Sequence, residues 1–150
     1  MHSDILDQLK TLHTSAIDAR NGYQEALKDA EGKGMSPLFR EMIELHDGHA
    51  RELARELTKA NEMPDESGSF MSAVNKTIMD IRSLFNGLDE SVLPGLIDGE
   101  KRNIKKYDDS FEIATNLPDI ARMLSAQRDR IAHKIANMEM QKAASNRAAS

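Results

Sequence analysis

Apolar residues recur along this chain at the three- and four-residue spacing of one helix face, in four long runs. The first is Ile5, Leu9, Leu12, Ala16, Ala19, Tyr23, Leu27 and Ala30. The second is Phe39, Met42, Ile43, Ala50, Leu53 and Leu57, with His46 on the centre line of the stripe and His49 at its edge one turn on. The third passes through Leu93, Leu96, Ile97, Glu100, Ile104, Tyr107 and Phe111. The fourth passes through Ile120, Met123, Leu124, Gln127, Ile131, Ile135 and Met138. A shorter run, Phe70, Val74, Ile78, Ile81 and Phe85, lies between the second and third.

Punctuation between the runs sets the connections. Ser3 or Asp4 can cap the first helix, Gly32 and Gly34 end it, and Ser36-Pro37 restarts the chain with a cap followed by a first-turn proline. So short a joint predicts an antiparallel hairpin, and the second helix is expected to reach about Lys59. The segment Asn61 to Ser69 reads as loop. The short helix after it, closed by Asn86-Gly87, reads as a crossover returning the chain to the other end of the bundle. The third helix is expected near Ser91, because Pro94 is tolerated only in a first turn. Asn116-Leu117-Pro118 breaks the chain before the fourth. Residues 1–141 should form one all-α domain, with 142–150 a small, polar tail that frays. Two hairpins joined by a long connection make a four-helix bundle; an up-down bundle of five helices is the rival.

Composition narrows the function classes. With 20 Lys and Arg against 25 Asp and Glu the net charge is −5, and the basic residues are scattered. That leaves no footprint for nucleic acid or an anionic membrane. There is no Cys, so disulfides, thiolate metal sites and Cys nucleophiles are excluded. No N-terminal leader pattern and no membrane-spanning apolar run is visible, so a cytoplasmic protein is expected. Neither a glycine-rich phosphate loop nor a serine nucleophile elbow occurs. The expectation is a protein without enzymatic activity.

Aligning the stripes by their centres sets Ala16, His46, Glu100 and Gln127 at one level, followed three residues on by Ala19, His49, Asn103 and Arg130. His46, His49, Glu100, Gln127 and Arg130 could therefore share one polar layer inside the bundle. Packing needs no such layer, and each buried polar group costs a few kcal/mol if unpaired. Three readings stand. In the first, Glu100 pairs with Arg130 while His46, His49 and Gln127 complete a structural network, with no cofactor. In the second, His46, His49 and Glu100 hold a single Zn or Fe ion, which would make the chain a metal-binding protein or an oxidoreductase. The third is a small-ligand pocket, for which no residue gives a positive signal. His13 lies beside its stripe and His133 well off its own; both read as solvated or interfacial, and His2 is terminal.

Asn21-Gly22-Tyr23-Gln24-Glu25-Ala26, Leu38-Phe39-Arg40-Glu41, the stretch from Ser67 to Asn86 and Asp98-Gly99-Glu100 carry a family likeness. Through them the chain resembles the ferritin-like superfamily. More narrowly, it resembles an uncharacterised bacterial family of ferritin-like bundle proteins, a domain of unknown function. The resemblance spans residues 4–138. It implies a ferritin-like four-helix bundle with one long crossover containing a short helix, and a stress-associated role. The superfamily's dinuclear iron site takes a Glu from each of two helices and Glu-x-x-His from each of two others. Carried over by position, only His49 and Glu100 remain. Ala16, His46, Gln127 and Arg130 stand where the other ligands belong. A degenerate dinuclear site is therefore expected, replaced by the polar layer. Neither a protein partner nor an oligomeric state is named by any residue; the crossover helix could supply the interface of a homo-oligomer.

Overall fold

The computed structural model describes residues 3–30, 34–64 and 90–149. Within them α1 spans Ser3–Asp29, α2 Ser36–Lys59, α3 Leu93–Ile113 and α4 Pro118–Ala149, with a 3-10 turn over Glu90–Val92 leading into α3. The four apolar runs fold as the helices their period predicts.

Two apolar clusters fix how the helices run. One end of the bundle joins Tyr23 and Ala26 of α1, Phe39 and Met42 of α2, Leu93 and Ile97 of α3, and Met138 of α4. The other joins Ile5 and Leu9, Leu53 and Leu57, Tyr107, and Ile120 and Leu124. Thus α1 and α4 run one way, α2 and α3 the other. Parallel α2 and α3 cannot be joined by a tight turn; the chain between them has to return from one end to the other. The predicted crossover helix from Phe70 to Phe85, and the interface expected on it, lie outside the described residues.

The helix ends show where local rules held. Beyond Lys59, Asn61 takes a left-handed φ of 61°. Its N–H donates to the Thr58 carbonyl at 3.0 Å and that of Glu62 to Leu57 at 2.9 Å. This is a Schellman stop, in which Asn accepts the conformation glycine usually supplies. Pro94 and Pro118 both sit in first turns. Ser36, however, is not the cap of α2. Met35 holds that position without a side-chain bond, and Ser36 Oγ donates instead to the Ala30 carbonyl at 3.4 Å.

Two further differences concern extent. The chain expected to fray from residue 142 continues as helix to Ala149. Ala, Lys and Arg dominate there, all strong helix formers, with neither Gly nor Pro after Pro118. His13, expected at the surface, is buried at 1% exposure. It shares a shoulder of α1 with Ile17, which packs with Ala16 and Ala50. Small residues on both helices bring α1 and α2 together, so α1 buries more than its central stripe.

Leu124 is fully buried and Met140 is 70% exposed. Leu124→Ala should cost about 2–5 kcal/mol in urea denaturation, whereas Met140→Ala should stay within about 0.5 kcal/mol.

Candidate functional site

Midway along the bundle the central positions of α2 and α3 meet. His46 Nε2 lies 2.9 Å from Glu100 Oε1 and donates to it. The Tyr23 hydroxyl donates to the same oxygen at 3.1 Å, and Asn103 Nδ2 donates to Oε2 at 3.3 Å. Tyr23 and His46 stack with ring centroids 5.9 Å apart and planes 12° from parallel. One buried carboxylate thus receives hydrogen bonds from α1, α2 and its own helix.

The electrostatics follow from that arrangement. Burial pushes the Glu100 carboxyl up, but His46 and the donors from His46, Asn103 and Tyr23 outweigh it, so its pKa falls below the ordinary carboxylate value. Burial, reinforced by the Glu100 charge and hydrogen bond, holds the Tyr23 phenol well above its usual range. Both groups therefore keep fixed roles, carboxylate as acceptor and phenol as donor.

A second set lies toward α4. The Tyr107 hydroxyl donates to Gln127 Oε1 at 2.7 Å. Gln127 Nε2 donates to the His49 carbonyl at 3.4 Å and reaches Glu52 at 3.5 Å. Burial raises the Tyr107 phenol, and the charges of Glu100 and Glu52 add to this. Between the two sets is a small cavity of about 10 Å³, lined by Leu12, Ser15, Ala16, His46, Asn103, Tyr107 and Ile131. That is close to the room one water molecule needs. At the α1–α3 seam Lys106 donates to Ser15 Oγ at 2.8 Å. Burial lowers its amine, with Arg102 adding and Asp18 and Glu100 opposing.

His49 differs from its neighbour. Its ring is buried at 1% exposure, edge-on to His46 at 6.3 Å. Among the described residues neither of its ring nitrogens finds a hydrogen-bond partner. Burial, with the charges of His46 and Arg130 and against that of Glu100, lowers its pKa from the usual 6.5 to about 3.

The structure places His46, His49, Glu100 and Gln127 in one region, which does not include Arg130. That side chain is 50% exposed and bonds Glu52 at 3.0 Å. The expected Glu100–Arg130 pair is replaced by His46, Tyr23 and Asn103. Arg130 lies at the edge of its stripe, where a long side chain can carry its charge to water while its stem covers apolar surface. The layer also takes in Tyr23 and Tyr107, stripe residues whose rings read as apolar in the sequence. Helical side chains lean toward the N-terminus of their helix, so a tyrosine seven residues after a centre reaches back toward that level. Buried tyrosine hydroxyls need partners, and that was the available signal.

The donor set does not fit two metal ions. Position 16 offers a methyl group, Gln127 has its amide oxygen engaged by Tyr107, and Arg130 is turned outward. Among the described residues no three His, Asp or Glu side chains already converge on one point.

Acid should weaken the metal-free protein. A histidine held neutral in the fold but free to protonate when unfolded makes stability fall as pH drops from about 6.5 toward 3. At about 1.4 kcal/mol per pH unit the loss between pH 6.5 and 5 is about 2 kcal/mol, with Glu100 adding a further loss in the carboxylate range. Urea midpoints at several pH values measure it; His49→Leu should remove the first part of the slope without lowering stability at pH 7. In a second set of variants, Tyr23→Phe and Glu100→Gln should couple by about 0.5–3 kcal/mol in a double-mutant cycle. Arg130→Met and Glu100→Gln should instead add to within about 0.5 kcal/mol.

Comparison with known proteins agrees with this architecture. The structure of Rhodobacter capsulatus bacterioferritin, described with a metal-free dinuclear site and haem iron, superposes with a TM-score of 0.74. The match covers 98% of this chain and 88% of that one at 14% identity, which establishes the fold, a ferritin-like four-helix bundle. No curated protein matches the sequence. Residues 4–113 match the family model described as a domain of unknown function, DUF2383, and the chain belongs to that family.

Proposed function

We propose that this protein is a non-catalytic ferritin-like bundle whose polar core layer stands in place of a dinuclear metal site. The observation that carries this reading is the state of Glu100: both carboxylate oxygens accept hydrogen bonds from protein donors, and Ala16 faces the adjoining cavity without a ligand. Oxidation of iron by oxygen on this fold depends on two ions held close together by several carboxylates. One carboxylate and two imidazoles cannot balance that charge. The protein then acts through contacts or simple binding, and a stress-associated role accompanies this reading through the family resemblance. Among the described residues no helix is long and apolar enough to cross a membrane.

Fe²⁺ supplied with oxygen should be oxidised no faster by the purified protein than by buffer, followed by absorbance of the ferric product. Binding of two irons per chain with rapid oxidation would overturn the reading.

A further inference from the structure

A buried imidazole with both nitrogens unpartnered is an expensive feature for a purely structural layer. It forfeits roughly 1–3 kcal/mol of hydrogen bonding that a leucine would not need. Among the described residues His49 is in that position, with His46 edge-on to it and Glu100 bonded to His46. Two imidazoles and one carboxylate are a donor set suited to zinc and to other late divalent ions of the first transition row.

We propose that His46, His49 and Glu100 bind a single divalent transition-metal ion, with one further position open to water from the adjoining cavity. This rests on the reading of the layer as non-redox and names what that layer binds. The distances say how far the site must move. Two ligand atoms on a tetrahedral zinc stand about 3.3 Å apart. His46 Nε2 and Glu100 Oε1 are at 2.9 Å, so a few tenths of an ångström admit the ion. Imidazole rings sharing such an ion have centroids about 5.2 Å apart. The His46–His49 separation is 6.3 Å with the rings nearly perpendicular, so His49 has to turn toward its neighbour. No hydrogen bond to its ring among the described residues opposes that turn. Binding displaces the proton from His46 Nε2, leaving that nitrogen for the metal. Asn103 can still hold Glu100 through Oε2, and Tyr23 remains against the carboxylate as an orienting donor. Of the three ligands His46 lines the cavity, whose volume of about 10 Å³ beside Ala16 and Ser15 is the source of that water.

The experiment uses the full chain, freed of any affinity tag and stripped with chelator, titrated with Zn²⁺ and with Co²⁺. One ion per chain should bind, Co²⁺ should develop the intense visible bands of a four-coordinate site, and the melting temperature should rise with Zn²⁺ concentration. His49→Leu and Glu100→Gln should each weaken Zn²⁺ binding by at least about 100-fold, whereas His133→Ala, at an exposed histidine, should not. His49→Gln serves the same purpose where the leucine variant does not fold. No binding at a one-to-one ratio overturns the proposal, as does His49→Leu or His49→Gln binding as tightly as the parent, or His133→Ala abolishing it. None of these results touches the iron-oxidation test, so the ion site can fail while the non-catalytic reading stands.

Discussion

Glu100 is the constraint around which the interior is arranged. Carrying a carboxylate out of water costs several kcal/mol unless charge and hydrogen bonds compensate. Its compensation comes from Tyr23 on α1, His46 on α2 and Asn103 one turn along α3. A slide of any of these helices by one residue, 1.5 Å, would break bonds of about 3 Å. The apolar clusters at either end tolerate such a slide far better, since one leucine packs much like the next. The polar layer therefore specifies register, and the clusters supply most of the stability.

Legibility in the sequence tracks how local the physics is. Stripe residues such as Leu9, Phe39, Ile97 and Leu124 are buried because periodicity alone puts them on the inner face. The parallel course of α2 and α3 was visible in the length of chain between them. His46, Glu100 and Gln127 were legible as polar residues on centre lines. Arg130 was not, because an edge position leaves the choice between core and water to the neighbours. Glu52, also at an edge, offered a partner in water. Nor does a stripe say how far a side chain reaches along the helix axis, which is why Tyr23 and Tyr107 entered the layer unannounced. Ser36 had a capping residue's chemistry, yet the bond to Ala30 was available and the N-cap fell on Met35.

Likeness of fold at 14% identity carries the bundle and leaves the chemistry to the side chains. Here charge decides. Two divalent ions bring four positive charges into a medium that screens poorly, and several carboxylates are needed to offset them. The buried side chains of this layer include Ala16, His46, Gln127 and one buried acid, Glu100. Side chains from all four helices surround the space beside Ala16, and about 10 Å³ remains. The layer has the dimensions of hydrogen bonding, with space for one small guest.

His46 and His49 make the last comparison, since the same ring in the same layer meets two different environments. His46 donates to a carboxylate and stacks on Tyr23, so its place is explained by what surrounds it. One turn later His49 is equally buried; Gln127 donates to its backbone carbonyl, and among the described residues neither ring nitrogen finds a hydrogen-bond partner. Its backbone holds α4 in place, a task any residue could perform. The ring adds nothing to that task, and its desolvation works against the fold. A side chain whose backbone supports the structure while its own polar atoms stand idle is retained at a cost. Of the groups beside it, the His46–Glu100 pair is the one whose chemistry gives that imidazole a use.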